Sequence, residues 1–153
     1  MLKTQDEIIK IVKEGQAKGE TFVVTNGCFD ILHVGHVRYL QKTKEFADKL
    51  IVMLNSDKSV KAIKGDTRPI NCEDDRAEIL SSLRCVDYVV LFDENSPAKL
   101  LENIKPNVYT KGADYTLESL PERDIVIKNN IKVEFIEFVE GKSTTNVINK
   151  ISK

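Results

Sequence analysis

Five short apolar runs, separated by stretches of helical periodicity, constrain this chain more than any other feature. They are Phe22-Val23-Val24-Thr25, Leu50-Ile51-Val52-Met53-Leu54, Tyr88-Val89-Val90-Leu91-Phe92, Asn107-Val108-Tyr109-Thr110 and an alternating run from Lys132 to Phe138. Strands joined through helices return in the same direction by right-handed crossovers. The expected fold is therefore α/β, a Rossmann-like three-layer arrangement around a five-stranded, mostly parallel sheet. These elements use up the whole chain, so residues 1–153 read as one domain, with residues 1–19 as an N-terminal helical extension.

The helices announce themselves by spacing and by caps. Ile8, Ile9, Ile11 and Val12 recur at helical intervals, so about the first fifteen residues read as a helix ending near Gly15 or Gly19. A second helix is expected from His36 to about Phe46. Asn71 reads as the N-cap of a third, which carries Arg76, Ile79, Leu80 and Leu83. Ser96-Pro97 opens another that runs to about Ile104, because proline is tolerated in a first turn. Residues from about Leu120 to Asn129 and from Ser143 to Ile151 complete the set.

Charge and cysteine content exclude several classes. A net charge of −1 creates no field that would recruit nucleic acid or a membrane surface, so any basic groups must act locally. No apolar run is long enough to span a bilayer, and the start lacks the apolar core of a signal peptide. A cytoplasmic protein is expected. Cys28, Cys72 and Cys85 are odd in number and form no C-x-x-C pair, which favours reduced thiols over a disulfide framework or zinc site.

In open parallel sheets, ligands bind beyond the carboxyl ends of the strands where strand order reverses. The loop after the first apolar run is Thr25-Asn26-Gly27-Cys28-Phe29-Asp30-Ile31-Leu32-His33-Val34-Gly35-His36, and it holds both histidines of the chain. Residues three apart at a helix start share a face. Gly35, lacking a Cβ, lets a ligand approach between the rings, and the helix start adds unpaired N–H groups. A histidine is more often an ordinary core or surface residue than a catalyst. Its placement between a strand and a helix favours a phosphate pocket here.

The segment Gly27-Cys28-Phe29-Asp30-Ile31-Leu32-His33-Val34-Gly35-His36 resembles the signature of the cytidylyltransferase-like nucleotidyltransferase superfamily, the H-x-G-H type. Further motifs follow in the expected order: Asn55-Ser56-Asp57-Lys58-Ser59-Val60, Lys64-Gly65, Arg68-Pro69-Ile70, Lys111-Gly112-Ala113-Asp114-Tyr115 and Ser143-Thr144-Thr145-Asn146. Together they are similar to the adenylyltransferase domains of bacterial ADP-heptose synthases, over nearly the entire chain. The resemblance implies transfer of AMP from ATP, handled with Mg2+, to D-glycero-β-D-manno-heptose 1-phosphate, for lipopolysaccharide core or a related glycan. It also implies a homodimer. That domain is often fused to a sugar kinase. The chain looks like the stand-alone form, with a separate kinase making its substrate.

Such a reaction needs no general base, because the attacking phosphate oxygen is already anionic; positioning and electrostatics must carry it. His33 and His36 would contact the triphosphate and its developing charge. Lys64 is by default a solvated lysine, but the resemblance places it near the incoming phosphate, with Arg68 and Asp30 as weaker substrate contacts. Asp30 is as well suited to ordering its loop through backbone N–H groups, and Arg76 to a salt bridge. Cys28, Phe29 and Gly35 would line the nucleotide. Lys111, Gly112 and Asp114 suit the nucleoside edge, and Ser143, Thr144 and Thr145 a phosphate at a helix start. No cluster of carboxylates forms a dedicated metal site. Gly141-Lys142-Ser143 ends like a P-loop, but that pattern needs a glycine where Ile136 stands.

One departure bears on the nucleotide. Related cytidylyltransferases carry an arginine where this chain has Phe138, with Lys142 as the nearby substitute charge, and this leans towards the ADP-heptose group. The competing readings are a cytidylyltransferase acting on a polyol or amino-alcohol phosphate such as glycerol 3-phosphate, and a non-catalytic nucleotide-binding module.

Overall fold

In the computed structural model, which describes residues 1–137 and 143–152, all five expected strands form and a sixth joins them. They are β1 (Leu2–Lys3), β2 (Phe22–Gly27), β3 (Lys49–Asn55), β4 (Tyr88–Phe92), β5 (Val108–Gly112) and β6 (Lys132–Ile136). The sheet order is β1-β4-β3-β2-β5-β6 and every pairing is parallel. The expected end of the last strand, Phe138, lies outside the described residues, as do Gly141 and Lys142.

The sixth strand corrects the reading of the N-terminus as helix alone. Thr4 and Glu7 form a reciprocal capping box that starts α1 (Gln5–Ala17) at the fifth residue. The two residues before it are left extended and pair with Val89 and Val90. Helix α1 is packed into the domain, with Ile8 and Val12 fully buried.

The remaining helices are α2 (Val34–Lys44), α3 (Asp57–Lys64), α4 (Glu73–Ser81), α5 (Ala98–Ile104), α6 (Arg123–Lys128) and α7 (Thr144–Ile151). Helix α3 is absent from the sequence expectation. It buries only Ser59 and Val60 and runs for eight residues, in which Val60 and Ile63 are a single pair at helical spacing, too short a pattern to repeat; the cap Ser56, whose Oγ accepts from the Ser59 N–H, is its clearest local signal. The cap of α4 is Cys72 and makes no side-chain cap bond. Asn71, the expected cap, instead donates its amide to the Asp30 carbonyl at 2.8 Å.

Burial on both faces of the parallel sheet explains why its strands read as nearly continuous apolar runs. Phe22, Val24, Ile51, Met53 and Tyr109 face α1, α5 and α6. Val23, Leu50, Val52, Leu54 and Val89 face α2 and α4. From β2 the chain steps outward to β3 and β4, then crosses back to place β5 and β6 on the other side. Strand order reverses between β2 and β5, and the loops leaving those strands open a crevice there.

Candidate active site

A cavity of about 590 Å³ occupies that crevice. It is lined by the residues expected to be catalytic or to bind substrate and nucleotide: Cys28, Phe29, Asp30, His33, Gly35 and His36 from the loop after β2, and Lys64 and Arg68 from the end of α3 and beyond. Lys111, Gly112 and Asp114 join from β5 and its loop, and Ser143, Thr144 and Thr145 from the start of α7. Segments more than a hundred residues apart in sequence therefore converge on one opening.

The two histidines build the start of α2 themselves. The His33 Nδ1 accepts the Gly35 N–H at 3.1 Å, and the His36 Nδ1 accepts the His33 N–H at 3.3 Å. This is a capping box with imidazoles in place of the usual hydroxyl and carboxylate. It starts the helix at Val34, two residues before the sequence expectation. The rings stack with centroids 3.8 Å apart, and Phe29 tilts against His36 at 5.1 Å. A neutral imidazole that accepts through Nδ1 carries its proton on Nε2. Burial, and then the charge of His33, push His36 down to about 4. His36 is therefore a neutral N–H donor at physiological pH.

Local backbone supports this arrangement. Phe29 holds a left-handed φ of 45°, which turns its ring under the helix start. A Cβ on Gly27 would lie 2.9 Å from the Phe29 ring, so glycine there lets the ring sit against the end of β2. The start of α7 is fastened to the same loop, because the Thr144 hydroxyl donates to the Ile31 carbonyl at 3.2 Å. Ser143 caps α7 by accepting the Asn146 N–H at 3.0 Å.

Asp30 and Arg68, both expected to touch substrate, touch each other. The buried Asp30 carboxylate accepts from Arg68 Nε at 2.7 Å and from the Ile70 and Asn71 N–H groups at 2.9 Å. Burial alone would raise the Asp30 carboxyl. The N–H groups of Asn71 and Ile70 and the Arg68 guanidinium outweigh it and hold the carboxyl below its usual value. Asp30 pins residues 68–71 against the β2 loop, the loop-ordering role also open to it from sequence. Lys64, exposed at the end of α3, sends its positive charge towards Cys28; burial nonetheless raises the Cys28 thiol, which stays protonated at neutral pH. Lys111 lies 4.8 Å over the Tyr115 ring.

Three polar arrangements go beyond the sequence reading, which gave Arg76 only a salt bridge. Arg76, 1% exposed, donates to the carbonyls of Asn71, Cys28 and Asn55 at 2.9, 2.8 and 2.7 Å and pairs with Asp57 at 2.9 Å. Its position inside a helix with acidic neighbours looks like an ordinary surface salt bridge. Beneath α2, the Tyr39 hydroxyl bonds Thr25 at 2.9 Å and Thr110 at 3.2 Å. On the other sheet face, the Tyr109 hydroxyl donates to Asn26 at 2.6 Å beside Glu122. Polar residues embedded in apolar strand runs are the only sequence signal of either pair.

Helix starts, imidazole N–H donors and lysines gathered over one mouth of the sheet suit polyanions. Known proteins agree. The cytidylyltransferase-like family profile matches residues 24–150. The bifunctional protein HldE of Geobacter metallireducens is 50% identical over 98% of this chain. The protein of the same name from Geotalea uraniireducens is 51% identical over 98%. The chain spans 31% of the length of each of these relatives. Among solved structures, a lipopolysaccharide core biosynthesis protein from Thermoplasma volcanium superposes with a TM-score of 0.64 at 30% identity, covering 81% of this chain and all of the other. With the strand order, the histidine-capped helix start and a match across most of its length, the chain belongs to the cytidylyltransferase-like family and is a nucleotidyltransferase.

Proposed function

We propose that the protein transfers AMP from ATP to D-glycero-β-D-manno-heptose 1-phosphate, giving ADP-heptose and pyrophosphate for lipopolysaccharide core or a related glycan. The observation that carries this reading is the single cavity in which the paired imidazoles, Lys64, the β5 edge and the α7 start meet. The resemblance to HldE proteins over almost the whole chain supports the heptose assignment.

In this reading His33 and His36 donate Nε2–H bonds to the triphosphate, and the starts of α2 and α7 offer backbone N–H groups to the leaving pyrophosphate. Lys64 offsets the repulsion between the incoming phosphate and the α-phosphate. Lys111, Gly112 and Asp114 border the nucleoside. Arg68 keeps guanidinium N–H groups available beyond its bond to Asp30, while the Asp30 carboxylate reaches substrate only through the loop it orders. Magnesium enters as part of the substrate, held by triphosphate oxygens; among the described residues no three metal-binding side chains converge. A homodimer and a separate kinase that phosphorylates the sugar complete the proposal. No described helix is long and apolar enough to cross a membrane.

The test is pyrophosphate release from a matrix of ATP and CTP against heptose 1-phosphate and glycerol 3-phosphate. The expected result is the highest kcat/KM for ATP with heptose 1-phosphate. Equal use of CTP, or a preference for glycerol 3-phosphate, would assign the chain to the cytidylyltransferases instead.

A further inference from the structure

Glu122 is 3% exposed and lines the cavity, yet its Oε2 has no hydrogen-bond partner among the described residues. It occupies the position just before α6 without making a cap bond. A buried carboxyl group with no donor opposite it destabilises a fold. The Glu122 carbonyl accepts the Val126 N–H at 3.1 Å and so helps start α6, but the fold supplies no donor to Oε2 that would account for its burial. The Tyr109 phenol, close enough to feel the Glu122 charge, is committed elsewhere. Burial, and then the charge of Glu122, raise the Tyr109 phenol, which stays protonated and gives its proton to Asn26 at 2.6 Å.

The position of Glu122 across the sheet says what it faces. Tyr109 packs with Phe22, Val24 and Val126 on the α6 side, whereas Phe29 and Leu40 pack on the α2 side. The cavity spans both sides. The anion-binding groups, namely the α2 start and the α7 start tied to it through Thr144, belong to the α2 side. A carboxyl repels phosphate, so the α6 side suits an uncharged, donor-rich portion of a substrate. Displacement at the α-phosphorus runs in line, so the attacking oxygen enters opposite the departing pyrophosphate. With pyrophosphate held on the α2 side, the acceptor enters over α6, its phosphate at the reacting centre and its hydroxyls outward.

Resting on the nucleotidyl-transfer reading, we propose that Glu122 determines acceptor specificity by accepting hydrogen bonds from the ring hydroxyls of the sugar phosphate. Asn26, held in place by Tyr109, lines the same cavity as the second polar group of that subsite.

The test uses Glu122→Gln and Glu122→Ala in the full chain. Both should fold, and ligand-free Tm should stay level or rise, since the burial of an unpartnered carboxyl is relieved. KM for the acceptor should rise about tenfold to a hundredfold in Glu122→Ala, the range for losing hydrogen bonds to a charged group. KM for ATP and inhibition by inorganic phosphate should change less than about twofold. A raised KM for ATP with an unchanged acceptor KM would place ribose against Glu122 and overturn the proposal. A lowered Tm with both KM values unchanged would make the residue structural and overturn it equally. Wild-type turnover is measured first with ATP and heptose 1-phosphate, and with CTP and glycerol 3-phosphate. Activity on the second pair alone sinks the heptose assignment, and Glu122 is then judged by the same shifts on that pair. Silence with both pairs overturns both proposals.

Discussion

His33 and His36 stack at 3.8 Å with each Nδ1 turned back onto a backbone N–H of the helix they begin. These two hydrogen bonds set both the start of α2 and the Nδ1-accepting form of the rings. Replacing His36 with alanine should lower kcat at least about a hundredfold, the usual cost of losing one preorganised donor. His33→Ala should lower kcat by a similar factor and also remove the cap, costing about 1 kcal/mol of stability. Steady-state turnover together with thermal unfolding separates the two effects. Near wild-type turnover in either variant would remove the histidines from catalysis.

The depressed pKa of His36 makes stability depend on pH. Its neutral form is favoured in the folded chain, where it titrates at about 4, against 6.5 when unfolded. The folded state therefore binds fewer protons between those values. The contribution is complete above pH 6.5 and is lost as pH falls towards 4. After discounting for partial solvent exposure it amounts to about 2 kcal/mol. Unfolding free energies at pH 7.5 and pH 4.5 should differ less in His36→Gln than in the wild type by that amount, and NMR titration should place His36 near 4. A midpoint at 6.5 would show that the ring is solvated.

Lys64→Ala should harm use of the sugar phosphate more than binding of ATP. The lysine closes α3 at the cavity mouth, where its charge reaches towards Cys28. Offsetting repulsion between two anions matters most when both are bound. Calorimetry should show ATP affinity close to wild type, with a raised KM for sugar phosphate and a lower kcat/KM. Loss of ATP affinity with an unchanged sugar-phosphate KM would move Lys64 to the triphosphate.

Arg76→Met should destabilise the chain by about 3 kcal/mol or more. It keeps the stem but leaves the buried carbonyl of Asn55 and the part-buried carbonyls of Cys28 and Asn71 without their donor. Chemical denaturation measures this. A loss below about 1 kcal/mol would show that water replaces the guanidinium.

The inner strands β2, β3 and β4 were legible because they are buried on both sides and must be largely apolar, whereas the edge strand β6 was legible by its alternation. The loop after β2 was legible because both histidines fall within it. Helix α3 was hidden by its length, because eight residues carry only the one Val60–Ile63 pair at helical spacing. The β1 pairing was hidden because two residues are too few to carry a pattern. Long-range polar contacts were hidden for another reason. Nothing around Arg76 or Asn71 in sequence reveals that the one will gather carbonyls from Cys28 and Asn55 and the other will bond Asp30. The Phe138 and Lys142 substitutions noted in the sequence fall outside the described residues.

The Arg76 guanidinium has a consequence for how this site can change over generations. The loops after β2 and β3 and the approach to α4 all close on the same planar group. A substitution that shifts any one of them alters the fit of the other two, so mutations far apart in sequence will not combine additively. Double-mutant cycles between residues near Cys28 and residues near Asn71 should show coupling, and that coupling should vanish in an Arg76→Met background. Variation that alters substrate choice is then freest on the α5 and α6 rim of the cavity, which that guanidinium does not tie.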